Sequence, residues 1–133
     1  MRYAAALSLL PSLRAGEVPA SDVGSAIEAL IGALRFYTPD VEPSRDEPGV
    51  FWLGASGLSL LYPSLLRWAG LVHDDVVRAG CTATMVVGHT RMGTYASAKD
   101  LSARRGVRVH VMETLEEEQA RAACVSLTRL PLE

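Results

Sequence analysis

Residues 46–63 read "DEPGVFWLGASGLSLLYP". Four large side chains, Val50, Phe51, Trp52 and Leu53, follow Pro48-Gly49 and run into the small residues Gly54-Ala55-Ser56-Gly57. The run is too short for a helix and rich in β-formers, so it predicts a buried strand. Pro39, Pro43 and Pro48 make residues 40–49 a loop, with room for a very short strand around Asp40 to Glu42 that would pair with it.

Helical patterns flank this strand. Upstream, Ile27, Leu30, Ile31 and Leu34 recur at helical spacing as far as Phe36, with Ser21 or Asp22 placed to cap the start. Ala and Leu at helical density over residues 2–10 predict an earlier helix, stopped by Pro11. Downstream, Leu61, Leu65, Trp68, Ala69, Val72 and Val76 keep helical spacing to a stop at Gly80. "CTATMVVG" (81–88) then predicts a strand, 91–103 a small-residue helix, "VRVHVM" (107–112) an alternating strand, and "LEEEQARAAC" (115–124) a helix capped by Thr114 with Glu117 three residues on.

The totals bound the function. At 133 residues the chain is long enough for one domain with a single core. Apolar content of 49% and charged content of 21% fit an ordinary folded protein, and a net charge of -2 exerts no global pull on nucleic acid or anionic membrane. Cys81 and Cys124 form no CxxC and no disulfide framework, which predicts buried thiols, a reducing compartment and a cytoplasmic protein. No stretch reaches the roughly 18 apolar residues of a membrane span. The opening "MRYAAALSLLPSLRAG" lacks a small-x-small cleavage site, so it is read as a helix rather than a signal peptide.

The segments "FYTPDVEPSRDEPGVFWLGASGLSLLYP" (36–63) and "GCTATMVVGHTRMGTYASAKD" (80–100) together resemble the palm of Y-family translesion DNA polymerases, and most closely the ImuB-type, catalytically inactive branch. The family pattern "S-P-x-V-E" appears as Thr38-Pro39-Asp40-Val41-Glu42. The "L-D-x-[ST]-G" strand appears as Leu53-Gly54-Ala55-Ser56-Gly57, and the "T-x-x-V-G-x-[ST]-x-[NKR]-x-x-x-A" element runs from Thr84 to Ala96 with Gly88, Thr90, Arg91 and Ala96 in place. The opening residues 1–13 and the closing "VSLTRLPLE" also look like segments bordering the palm. The order and spacing of these motifs carry the likeness more than any one of them.

The resemblance implies an α+β, polymerase-palm-like (ferredoxin-like) sandwich: a mainly antiparallel sheet with helices packed on one face and the first palm strand missing. Residues 1–37 would be a helical lead-in and 38–133 the palm core. It also implies that catalysis is gone. Positions that hold metal-binding carboxylates in active members fall on Gly49, Val50 and Gly54, and a further aspartate belongs to a strand that would precede residue 1. Two-metal phosphoryl transfer needs carboxylates around ions about 3.5–4 Å apart. Asp46-Glu47, on a loop beside Pro48 and Gly49, is not held to the ~0.5 Å tolerance such chemistry demands. The expectation is therefore no metal, no cofactor and no enzymatic activity. The resemblance points instead to a scaffold or DNA-facing adaptor in DNA repair and SOS-type translesion mutagenesis, with proteins of a mutagenic repair complex as partners.

Other residues bear on rival functions. Arg91, Lys99, Arg104 and Arg105, beside Arg108, are the local basic concentration and the candidates for nucleic-acid contact; a solvated face is the equal alternative. The glycine-rich turn from Gly88 to Gly93 opens a helix and would suit a phosphate, giving a small ligand-binding domain unrelated to DNA. An open sheet edge would suit a homodimer. His73, Asp74 and Asp75 point in different directions on a helix and are read as a solvated face, as are Glu116 to Glu118. His89 is read as a turn residue, His110 as exposed, and Trp52 and Trp68 as core rather than base-stacking platforms.

Overall fold

A computed structural model describes residues 16–104 and 106–125. The helix expected over residues 2–10, Arg105 and the closing segment 126–133 lie outside the described residues. Helix α1 (Ala20–Leu34) leads to strands β1 (Val41–Pro43) and β2 (Phe51–Leu53), a 3₁₀ turn (Leu58–Leu60), α2 (Leu65–Arg78), β3 (Met85–Val87), α3 (Arg91–Ala103), β4 (Val109–Val111) and α4 (Leu115–Ala123). The fold is α+β.

The helices start where local chemistry stops the preceding chain. Ser64 accepts a hydrogen bond from the Arg67 N–H at 3.1 Å, so α2 begins just after Pro63 and leaves Leu61 outside it. Thr90 caps α3 by accepting from Gly93 N–H (3.1 Å), and Thr114 caps α4 by accepting from Glu117 N–H (3.1 Å). In α1 the expected side-chain cap is absent. The Pro19 carbonyl takes the Asp22 N–H at 3.0 Å, and Ser21 and Asp22 lie inside the first turn.

The described strands form two separate pairs. β1 and β2 make an antiparallel hairpin with Glu42 opposite Trp52, and β3 and β4 are parallel with Val86 opposite His110. The mainly antiparallel sheet expected from the resemblance is thus replaced by one antiparallel and one parallel pair. The reason is connectivity: α3 carries the chain back across, and a crossover helix delivers its next strand parallel to the last.

Trp68, Ala69 and Val72 of α2 are the centre of the core, joined by Leu34, Leu58 and Val87. Phe51 and Leu53 of the hairpin and Met85, Val109 and Val111 of the parallel pair pack on this cluster, so both pairs share α2 as their base. Trp68 is 1% exposed and its indole N–H donates to the Tyr37 carbonyl at 3.3 Å. Truncating such a side chain costs roughly 3–5 kcal/mol. A second knot sits at "YTPD": Thr38, itself buried, donates to the Gly54 carbonyl (2.8 Å) and accepts from the Asp40 N–H (3.3 Å), tying the end of α1 to the end of β2.

The helices do not share one face, contrary to expectation. Along β2, alternate side chains point to opposite faces. Phe51 and Leu53 meet the α2 cluster, while Trp52 meets Tyr95 and Arg91 of α3.

Candidate functional site

A cavity of about 1000 Å³ opens between the two strand pairs. Its walls are residues 49–56, which include all of β2, and residues 81–88, which include all of β3. Trp68, Val72 and Val76 of α2 form an apolar floor, and Arg91, Tyr95 and Lys99 of α3 stand over it. Those three recur at i, i+4 and i+8 and so share one helix face.

The positions where the resemblance places lost carboxylates all line this cavity. Gly49 precedes β2 at φ 95°, a conformation that favours glycine. Val50 accepts the Ser44 N–H at 2.8 Å as the hairpin closes. Gly54 leaves β2 with its N–H on the Asp40 carbonyl (2.9 Å), and a Cβ there would stand 2.5 Å from Asp40 Oδ2. The side-chain space at residue 54 is therefore held by Asp40.

Glu47, the other acidic candidate, is engaged. It accepts the Tyr95 hydroxyl at 2.5 Å and pairs with Lys99. The Lys99 ammonium, then the Tyr95 hydroxyl, hold its carboxyl below the ordinary 4.5. Burial, followed by the hydrogen bond to Glu47, pushes the Tyr95 phenol up to about 12. Among the described residues, no group of three or more His, Cys, Asp or Glu side chains is placed to hold a metal ion.

Of the four basic candidates, the three described ones, Arg91, Lys99 and Arg104, are paired as well. Arg91 forms a two-pronged bridge to Glu42 (2.9 and 3.1 Å) and lies 4.6 Å from the centre of the Trp52 ring. Lys99 holds Glu47, and Arg104 holds Asp100 at 2.8 Å. Trp52 is thus neither core nor a bare stacking platform: it is the half-buried base of an Arg91–Glu42 clamp between α3 and the hairpin. Arg91 and Lys99 come together over the cavity, whereas Arg104, near the end of α3, is not among the residues lining it.

The turn from Gly88 to Gly93 does bind an anion, and the anion is the protein's own. Glu118 of α4, 1% exposed, accepts the Thr90 N–H at 3.0 Å and is also hydrogen-bonded by the His89 N–H and the Thr90 hydroxyl. Burial raises its carboxyl pKa, but the bonds from Thr90 and the backbone N–H groups outweigh it and hold the value below 4.5. Cβ atoms at Gly88 and Gly93 would meet this carboxylate or its stem, with Glu118 Cγ 2.6 Å from residue 93. The space proposed for a phosphate is full. Glu118 had looked like one more exposed glutamate of a charged run; the usable signal was two glycines flanking a capping threonine.

The remaining readings fare unevenly. Trp68 is core, as expected. Asp75 is not a solvated group, since it accepts the Tyr37 hydroxyl and pairs with Arg78. His110 is half-buried, with Nε2 3.3 Å from Glu117, and His89 is an exposed turn residue. Cys81 is half-buried while Cys124 is exposed, so the thiols are not both buried. Among the described residues, no helix is long and apolar enough to cross a membrane. No protein-family model, curated protein or solved structure matches this chain.

Proposed function

We propose that this chain is a catalytically inactive, translesion-polymerase-like adaptor of cytoplasmic DNA repair, and that it works by binding protein rather than DNA. One observation carries this reading. The hairpin carries Gly49, Val50 and Gly54 at the positions where the resemblance calls for carboxylates, and four of the charged groups around it, Glu42, Glu47, Arg91 and Lys99, are spent on one another. An Arg or Lys that already holds a carboxylate has less to gain from a phosphate, because it must first give up that partner. What is left is the cavity between the strand pairs, whose floor of Trp68, Val72 and Val76 suits the apolar side chains of a polypeptide.

Two assays on labelled primer-template DNA test the reading. With Mg²⁺ or Mn²⁺ and nucleotides, the expected result is no primer extension. Extension that disappears in Asp46→Ala and Glu47→Ala would overturn the inactive assignment. In fluorescence anisotropy at low and moderate salt, the expected affinity is no tighter than non-specific binding, on the order of 10⁻⁴ M. Tighter, salt-sensitive binding that falls in the Arg91→Ala/Lys99→Ala/Arg104→Ala variant would make the domain DNA-facing instead.

A further inference from the structure

We propose that the β1–β2 hairpin swings as a unit, hinged where Thr38 meets Gly54 and latched at its tip by Glu47, so that release of the latch uncovers the apolar floor of the cavity. The inference goes beyond the functional reading above, and its test does not use that reading.

The hairpin is rooted at one end. Tyr37, just before it, accepts the Trp68 indole N–H on its carbonyl at 3.3 Å and donates its hydroxyl to Asp75, so it is fixed to α2 twice. Thr38 then donates to the Gly54 carbonyl at 2.8 Å, and the Gly54 N–H bonds to the Asp40 carbonyl at 2.9 Å. Both chains of the hairpin leave from this one point.

The other end is a closed turn. The Ser44 N–H bonds to the Val50 carbonyl (2.8 Å), the Val50 N–H to the Glu47 carbonyl (3.2 Å) and the Glu47 N–H to the Ser44 hydroxyl (3.2 Å). These bonds stay within residues 44–50, so the turn can move without breaking them. Its tie to α3 is the Glu47 side chain, which accepts the Tyr95 hydroxyl at 2.5 Å and pairs with Lys99. Nearer the root, Glu42 pairs with Arg91.

The two ion pairs are not equal. Glu42 and Arg91 are 61% and 59% exposed, whereas Glu47 and Lys99 are 31% and 28% exposed. Water and salt screen an exposed pair, which then holds little. Glu47 also sits far from the root, where a tie best resists rotation. It is therefore the latch. Beneath it, Phe51 and Leu53 pack on the α2 cluster but are only half-buried, and a cavity of about 1000 Å³ lies between β2 and β3. Lifting two half-buried side chains forfeits part of their apolar burial. That makes the open form a minor state, which loss of the latch enriches.

Thiol labelling of the whole 133-residue chain reads the open population. In a Cys81→Ser/Cys124→Ser background, Val72→Cys places one buried thiol on the cavity floor. Leu101→Cys, buried on α3 and outside the cavity lining, is the control. Glu47→Ala or Lys99→Met is expected to speed labelling of the Val72→Cys chain about tenfold, and of the Leu101→Cys chain less than about twofold. The two changes together should do no more than either alone, because each breaks the same pair. Glu42→Ala should give less than about threefold. If Val72→Cys does not fold, Val87→Cys, buried on the opposite wall, takes its place. Equal acceleration at floor and control would mean that Glu47 steadies the whole fold rather than the hairpin, and it overturns the proposal. So does an unchanged labelling rate at the floor, or a Glu42→Ala effect as large as that of Glu47→Ala.

Discussion

Gly88 and Gly93 are glycines for a reason that lies in another helix. At residue 88 a Cβ would stand 2.8 Å from Thr94 Cγ2 as well as against the Glu118 carboxylate, and Glu118 is buried and bonded in place. Gly54 is crowded too: a Cβ there would stand 2.8 Å from Asp40 Cβ, an atom that no side-chain rotation moves, and the Gly54 N–H is bonded to the Asp40 carbonyl. Both positions therefore exclude a methyl group. Gly88→Ala and Gly54→Ala are each expected to lower stability by about 3 kcal/mol, at the upper end of overpacking. Urea unfolding at unchanged m-value measures both. A cost under about 1 kcal/mol at either position would mean that the neighbouring backbone or carboxylate yields there.

At the scale of elements, α3 and α4 are joined by a carboxylate at a helix N-terminus. A buried anion there satisfies N–H groups that have no partner inside the helix and complements the helix dipole. Glu118→Gln keeps the size but removes the charge and brings an amide donor toward other donors. The expected loss is about 1–3 kcal/mol, with faster amide exchange at His89 and Thr90. Unchanged exchange at those two amides would mean that the N-terminus of α3 does not depend on α4. The element patterns themselves were largely legible. The 91–103 helix and the Thr114 cap follow from spacing and capping chemistry, which involve residues within one turn of each other.

For the whole molecule, the paired charges and phenols set a pH window. Glu118 and Glu47 have folded pKa values below the ordinary 4.5, so their stabilisation is present above that value and lost as pH falls through the lowered folded values. Tyr37 and Tyr95 are raised from 10.0 to about 12, first by burial and then by hydrogen bonds to Asp75 and Glu47. Their contribution is complete below about 10 and disappears as pH rises to about 12. Thermal midpoints should hold level between about pH 5 and 10 and fall on both sides. Tyr37→Phe and Tyr95→Phe should each flatten the alkaline limb. An alkaline limb identical in both variants would show that these phenols titrate without regard to folding.

The sequence by itself determined the helices from α1 to α4 and the location of β2, β3 and β4, because periodicity, proline, glycine and caps act between near neighbours in the chain; β1 lay in a stretch read as loop with room for a very short strand. It also marked Trp68 as core, since a stripe at helical spacing needs only its own helix to be seen. Tertiary structure alone decided the rest. Two of the residues that looked like a basic surface, Arg91 and Lys99, are paired with Glu42 and Glu47, which lie 49 and 52 residues away. Glu118 reaches Thr90 across 28 residues. The parallel pairing of β3 with β4, and the cavity left between β2 and β3, depend on which strands meet over α2. No local pattern records that choice, because a strand of three residues carries the same alternation whichever neighbour it finds.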